Sequence, residues 1–179
     1  MRGFRKPLVV FTPKIGLRSP HYVSNLSSFS DNSSFLPIIP TQFGKSEGQS
    51  VIFCTGQIFI QINRAVENYI QNHKKQPPLT LIRIEELAPF PEKEILTVLR
   101  EHKYSDKSRA VWIQEESMNM GAFTFVQPSL NRIIKMLNIS VKLEYFGRDS
   151  QCGANGCVDD HKMEYTLLME KLDKFIHDL

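Results

Sequence analysis

Short apolar runs alternate with longer segments of helical periodicity along most of the chain. Several runs have the continuous apolar character of strands that are buried on both faces. The predicted strands are Leu8–Thr12, Ser50–Cys54, Leu79–Ile84, Ala110–Ile113 and Val141–Phe146. Apolar side chains at helical spacing predict amphipathic helices in the segments that follow. These helices are expected after the Thr55–Gly56 turn, from Pro91, after Gly121 with a kink or restart at Pro128, and after the loop at 147–156.

Strands that alternate with helices are typical of βαβ units. We therefore expect an α/β fold: a three-layer α/β/α domain with a mostly parallel, five-stranded sheet. Residues 1–49, rich in Ser, Asn and Pro after the first strand, are interpreted as that strand and an extended surface connection within the same domain. Residues 50–179 are expected to form the α/β core.

Polar side chains follow two of the predicted strands directly. They are Glu85 and Glu86 after the third strand, and Gln114, Glu115, Glu116 and Asn119 after the fourth. Ligands and partners of open α/β sheets meet the carboxyl ends of the strands, so this cluster predicts a surface that contacts another protein. The alternative is that these residues are solvated loop positions.

The Thr55–Gly56 turn joins a buried strand to a helix. Backbone N–H groups and the helix dipole at such a turn suit an anion. Lys14, which follows the first predicted strand, could add positive charge to the same edge of the sheet. The alternative is ordinary turn chemistry, because neither common glycine-rich phosphate-binding pattern is present.

Composition excludes several classes of function. The net charge of +3 is too small to indicate a nucleic-acid or membrane partner, and no run approaches the roughly 18 apolar residues of a membrane span. The three cysteines predict a reducing compartment, not a disulfide framework. Cys152, Cys157 and His161 are too few and too widely spaced for a zinc site. No Ser or Cys is placed beside a His as a nucleophile, so the sequence does not indicate a complete enzyme.

The first thirty residues are basic, rich in Ser and free of acids. This composition is typical of an organelle transit peptide. The compact β run Leu8–Thr12 instead favours folded structure over a cleaved leader.

Motifs spread over about 140 residues resemble, in order, the C-terminal domain of 2-oxoglutarate dehydrogenases. The matching segments are Pro7–Lys14 with Leu17-Arg18, Phe53–Gly56, Arg83–Pro91, Trp112-x-Gln114-Glu115-Glu116-x-x-Asn119-x-Gly121 and Tyr145-x-Gly147-Arg148. The family commonly has Pro where this chain has Ser117 and an aromatic Trp or Tyr where it has Phe123. The loop Gly153–Gly156 also departs from the family pattern.

The resemblance implies a transketolase-like C-terminal domain without catalytic residues of its own. In the full enzyme, thiamine diphosphate and magnesium bind to preceding domains, and succinyl passes to a lipoyl group on a separate succinyltransferase. The implied partners are those catalytic domains, a second subunit of a homodimer and the succinyltransferase, in the mitochondrial matrix. Arg148 joins the strand-end cluster as an assembly residue, and Lys14, Thr55 and Gly56 are the implied positions for an acyl-CoA effector. The alternatives are the C-terminal domain of a 2-oxoadipate dehydrogenase, or a stand-alone module that binds a nucleotide or acyl-CoA.

Overall fold

The fold was analysed in a computed structural model. It describes residues 5–7, 9–11, 14–18, 20, 22–31, 33–44, 47–152 and 158–179, without the side chains of 15 and 158–161. The chain divides into two compact units, Met1–Phe35 and Leu36–Leu179.

The first unit contains two short 3-10 helices, Lys14–Arg18 and Leu26–Phe29. The strand predicted at Leu8–Thr12 is wrong for the residues that can be described: Val9, Val10 and Phe11 form no strand and are exposed. Its end residues, Leu8 and Thr12, lie outside the described residues. An apolar run forms a strand only when a neighbouring strand pairs with its backbone N–H and C=O groups. The local sequence does not show whether such a neighbour exists.

The second unit is built on a five-stranded sheet. Its strands are β1 (Ile38–Gln42), β2 (Ser50–Cys54), β3 (Leu79–Ile84), β4 (Ala110–Ser117) and β5 (Leu143–Arg148). They lie in the order β1-β3-β2-β4-β5, and every pair except β1–β3 is parallel. This confirms the mostly parallel sheet.

β1 takes a segment that the sequence predicted as an extended surface connection. It pairs antiparallel to β3, with Ile38 opposite Ile84 and Gln42 opposite Thr80. Pro40 has no N–H to donate. It is tolerated because β1 is an edge strand, which has a neighbouring strand on one side only. Burial of Ile38 in the core anchors the strand.

Helices cover both faces of the sheet, which confirms the three-layer α/β/α architecture. They are α1 (Ile58–His73), α2 (Glu92–Arg100), α3 (Phe123–Met136) and α4 (Val158–His177). One core lies between the sheet and α2 with α3, and the other lies between the sheet and α1 with α4. The helix restart expected at Pro128 is wrong, since α3 continues through that residue, and the alternative of a kink there stays a prediction. None of the helices in the described part of the chain has the length and apolar character needed to cross a bilayer.

Candidate functional site at the carboxyl edge of the sheet

β2, β3, β4 and β5 run in the same direction, so their carboxyl ends lie along one edge of the sheet. We call the set of predicted site residues that lie there the carboxyl edge. They are Thr55, Gly56, Glu85, Glu86, Gln114, Glu115, Glu116, Asn119 and Arg148. Lys14 is exposed in the first unit, so its pairing with Thr55 and Gly56 stays a prediction.

β4 continues past its predicted end at Ile113. Gln114, Glu115 and Glu116 lie within the strand, and the register with β5 shifts before Ser117 pairs with Arg148. Such an irregularity changes the direction in which neighbouring side chains point. These three polar residues are therefore part of the sheet, and their side chains face different environments.

Gln114 faces inward and is only 1% exposed. Its Oε1 accepts hydrogen bonds from Trp112 Nε1 at 2.9 Å and from the backbone nitrogen of Phe123 at 3.0 Å. Its Nε2 donates to the carbonyl oxygen of Ser117 at 2.9 Å. Gly121 leaves room for this amide, because a Cβ there would overlap the Gln114 side chain. The interpretation of Gln114 as a surface residue is therefore wrong, because its amide holds the β4–α3 connection together.

A sequence signal for the inward position of Gln114 exists. Side chains two residues apart in a strand share a face. Trp112 is fully buried on the side of α3, so Gln114 is directed to the same side. The alternation of side chains along the strand sets the direction of Gln114 even though the residue is polar, because the Trp112 indole is available as a hydrogen-bond partner for the buried amide.

Glu115 lies on the other side of the strand and contacts the start of α1. Its Oε2 accepts a hydrogen bond of 2.9 Å from Nε2 of Gln57, the residue directly before α1. Next to it, the Thr55 hydroxyl donates to the carbonyl oxygen of Ile84 at 2.8 Å, and Gly56 has a φ of 73°. Thr55, Gly56 and Glu115 are thus brought together, and a carboxylate of the chain itself lies beside the positive end of α1.

Glu85 and Glu86, directly after β3, make the same backbone contact, but their side chains differ in environment. Both backbone N–H groups donate to the carbonyl oxygen of Pro37, at 2.9 Å and 3.1 Å. The Glu85 carboxylate forms an ion pair with Arg83, whose guanidinium also lies 4.4 Å from the centre of the Phe59 ring. Glu86 is half-buried and Glu116 is exposed. Glu85 is therefore already neutralised within the chain.

Arg148 ends β5 and joins it to α4. It is 6% exposed, and its Nε donates to Glu164 Oε2 at 2.5 Å while Nη2 donates to Gln151 Oε1 at 3.0 Å. Gln151 Nε2 donates to the same Glu164 carboxylate. Asn119 closes the arrangement, because its amide makes two hydrogen bonds to the backbone of Gln151, at 2.9 Å and 3.1 Å.

Gln57, Gln151 and Glu164 were missed by sequence reasoning. Gln57 directly follows the predicted turn, and its side chain donates to Glu115 instead of capping α1, a contact that no local pattern indicates. Gln151 and Glu164 meet Arg148 only through the packing of α4 on β5, which no local pattern encodes.

Two other ionisable groups near this edge are held in their neutral forms. Burial raises the pKa of the Cys54 thiol to about 12, so it stays protonated at the end of β2. Burial also raises the pKa of Tyr145 to about 12, and its hydroxyl donates to the Arg148 carbonyl oxygen at 2.8 Å.

The Cys152–Cys157–His161 group falls largely outside the described residues. Cys152 is exposed, whereas Cys157 and the side chain of His161 are not described. Within the part of the chain that the structure describes, no three His, Cys, Asp or Glu side chains lie close enough together to hold a metal ion.

Comparison with known proteins identifies a family. A family model described as 2-oxoglutarate dehydrogenase C-terminal matches residues 23–172, which include all five strands and α1 to α3. The chain is 31% identical over 176 residues to the 2-oxoglutarate dehydrogenase E1 component of Rickettsia typhi. It is 34% identical over 174 residues to the mitochondrial 2-oxoglutarate dehydrogenase of Caenorhabditis briggsae.

These matches cover nearly all of this chain but little of the relatives. They include 96% of the chain and 18% of the Rickettsia typhi protein, and 94% of the chain and 16% of the Caenorhabditis briggsae protein. The chain thus spans less than a fifth of the length of these curated relatives.

Proposed function

The chain belongs to the family of 2-oxoglutarate dehydrogenase C-terminal domains, and from this premise we propose that it acts as the non-catalytic assembly and regulatory domain of such an enzyme. The observation that carries the proposal is the match over residues 23–172, because it includes the entire sheet and its carboxyl edge. The whole enzyme would decarboxylate 2-oxoglutarate oxidatively and transfer succinyl to a lipoyl group.

Thiamine diphosphate and magnesium would belong to other domains of that enzyme. Thiamine diphosphate, when bound, supplies an electron sink for the carbanion that decarboxylation leaves. No ligand of either group is assigned to this chain, whose described residues contain no cluster of three His, Cys, Asp or Glu side chains that could hold a metal ion. We assign no step of the reaction to this chain.

Assembly would use the outer residues of the carboxyl edge. Glu116 and Asn119 are exposed and Glu86 is half-buried, whereas Gln114 and Arg148 are buried in contacts within the chain. Exposed carboxylates at a rim mainly steer and orient a partner with basic groups. The proposed partners are the catalytic domains, a second subunit and the succinyltransferase, and the proposed location is the mitochondrial matrix. The Caenorhabditis briggsae relative is named as mitochondrial, which supports that location.

The Thr55–Gly56 turn, with Lys14, remains the proposed site for an anionic effector such as an acyl-CoA. The Glu115 carboxylate beside Gln57 opposes an anion there, because like charges repel at close range. Glu115→Gln should therefore strengthen the binding of acetyl-CoA to the isolated chain, as measured by calorimetry. Unchanged binding would remove this turn from consideration.

Association with the rest of a relative tests the assembly role. The experiment mixes this chain with the Caenorhabditis briggsae enzyme truncated where the match begins, and measures complex formation by analytical ultracentrifugation. We expect a stable complex that Glu116→Lys weakens about tenfold, because the substitution reverses an exposed charge on the edge. Glu170→Lys, an equivalent change at an exposed position of α4, is the matched control. Equal effects of the two substitutions, or no complex with the unchanged chain, would contradict the proposal.

A further inference from the structure

The first unit, Met1–Phe35, exposes large apolar side chains throughout its described part. Phe11 is 95% exposed and Leu26 is 87% exposed. The others that are exposed are Val9, Val10, Leu17, Tyr22, Val23, Phe29 and Phe35. Soluble monomers rarely leave so much apolar surface in contact with water, and a concentration of it marks a contact with another molecule.

This unit has no apolar core within its described part. Gly16 is the one buried residue among those whose burial is described there, and the 3-10 helix Leu26–Phe29 buries none of its side chains. Both apolar cores of the protein consist of residues of the second unit. The apolar side chains of the first unit are therefore accessible to a partner.

A plain linker does not explain the composition of the first unit. Its frequent serines and asparagines are compatible with a linker. Aromatic and β-branched residues, however, are scarce in segments that stay disordered. Here Phe11, Phe29 and Phe35 are distributed along the segment, together with Val9, Val10 and Val23. The combination indicates a segment with polar spacers and apolar residues that contact a partner.

Charge restricts the surface that this segment fits. Residues 1–30 include basic side chains and no acid, and Arg5, Lys14 and Arg18 are exposed. A protein surface with carboxylates around apolar positions is complementary to it. A lipid surface fits less well, because the described part of the unit forms two short 3-10 helices and no long amphipathic helix that could lie in a bilayer interface.

The relatives indicate which protein supplies that surface. The match with the Rickettsia typhi enzyme covers 96% of this chain, and the remaining 4% of 179 residues is about 7 residues, so most of the first unit is matched. The matched part is 18% of that enzyme, and the family is described as C-terminal. Most of the rest of the enzyme therefore precedes the part that corresponds to the first unit. This unit lies next in sequence to the catalytic part.

We propose that the first unit is a docking segment whose apolar side chains fill an apolar groove, bordered by carboxylates, on the catalytic part of the enzyme. Phe11 and Leu26 enter the groove, and Arg18 pairs with a carboxylate at its border. The inference rests on the proposed assembly function and adds a contact surface made of residues other than the carboxyl edge.

Complex formation between the full 179-residue chain and the Caenorhabditis briggsae enzyme truncated where the match begins tests this contact by analytical ultracentrifugation. Phe11→Ser and Leu26→Ser should each weaken the complex at least about tenfold, as the loss of an apolar anchor does. Phe125→Ser, at an exposed Phe of α3, is the matched control and should leave the complex unchanged. Arg18→Glu should weaken it about tenfold, whereas Arg100→Glu, at the exposed end of α2, should not.

The five substituted positions are exposed, so the variants should fold as the unchanged chain does, and circular dichroism checks this. A complex that Phe11→Ser and Leu26→Ser weaken no more than Phe125→Ser does would overturn the docking segment and leave the assembly function standing. Equal effects of Arg18→Glu and Arg100→Glu would overturn the acidic border of the groove. No complex with the unchanged chain would overturn both the docking segment and the assembly function.

Sedimentation with vesicles of phosphatidylcholine and phosphatidylserine separates a protein partner from a lipid surface. We expect the unchanged chain to stay in the supernatant. Binding to the vesicles that Phe11→Ser abolishes would overturn the proposal and assign the first unit to a membrane surface.

Discussion

Gln114 Oε1 lies 3.0 Å from the backbone nitrogen of Phe123, the first residue of α3. The first N–H groups of a helix have no partner within the helix. A side chain from the preceding strand therefore satisfies one of them, and the same oxygen also accepts the Trp112 indole. The end of β4 and the start of α3 are thus joined through one buried amide.

Gln114→Ala should destabilise the fold strongly. It leaves the Trp112 indole and the Phe123 N–H buried without a partner, and we expect the free energy of unfolding to fall by about 2–4 kcal/mol. Glu115→Ala, which removes only a contact with exposed Gln57, should cost less than about 1 kcal/mol. Urea denaturation followed by circular dichroism measures both. Similar losses for the two variants would show that the Gln114 amide does not join β4 to α3.

Gly56 of the carboxyl edge and Gly121, next to Gln114, should respond differently to substitution. Gly56→Ala should cost about 1 kcal/mol, because φ is 73° but the space around its Cβ position is open. Gly121→Ala should cost about 3 kcal/mol, since the new methyl group displaces the Gln114 amide.

The double variant Gly121→Ala with Gln114→Ala provides the control for that difference. Once the amide is gone, the added methyl group has nothing to displace, so the cost of Gly121→Ala should largely disappear. Additive losses in thermal or urea denaturation would place the effect of Gly121 elsewhere.

Arg148 and Glu164 should be coupled more strongly than Arg109 and Glu144. Arg148 is nearly buried, whereas the side chains of Arg109 and Glu144 are 33% and 35% exposed, despite two hydrogen bonds of 2.7 Å between them. Removing one partner of a buried pair typically costs about 3–5 kcal/mol, while exposed pairs contribute about 1 kcal/mol or less. Double-mutant cycles with Arg→Met and Glu→Gln give both coupling energies. A larger value for Arg109–Glu144 would contradict this ranking.

His102 should make the fold less stable in acid. Burial lowers its pKa below the ordinary value of 6.5, so the unfolded chain binds the proton more readily than the folded chain. Stability from this group is therefore fully present above 6.5 and is lost as the pH falls toward the lower, folded pKa. Glu101, whose charge opposes the shift, and Lys103 flank His102 in sequence. Glu47 lines the same cavity as His102, and the centre of the Tyr104 ring lies 6.1 Å from the centre of the imidazole.

The measurement for His102 is the pH dependence of the unfolding free energy in the unchanged chain and in His102→Gln. The variant should lack part of the loss seen between pH values of about 7.5 and 5. NMR titration of the imidazole gives the pKa directly. A folded pKa above 6.5, or the same pH profile in both proteins, would exclude this contribution.

Much of the fold follows from local pattern. Ser50–Cys54 and Leu79–Ile84 are strands at the predicted positions because each is an apolar run that suits the buried centre of a parallel sheet. β1 was missed for a physical reason. Leu8–Thr12 and Ile38–Gln42 are both short apolar runs near prolines, and only pairing with β3 selects the second.

The candidate site was less predictable than the fold. Strand-end positions could be read from sequence, but the direction of each side chain depends on the strand register and on distant partners. Arg148 is buried because Glu164, sixteen residues later on α4, neutralises it. No property of the segment around Arg148 alone reveals that partner.

Under the proposed function, this chain completes a 2-oxoglutarate dehydrogenase without performing its chemistry. The most direct test measures 2-oxoglutarate-dependent turnover, with thiamine diphosphate and magnesium, for the chain alone, for a relative's truncated catalytic part alone and for the two together. We predict no turnover by the chain, little by the truncated part and restored turnover in the mixture. Turnover by the chain alone, or no gain on mixing despite complex formation, would contradict the claim.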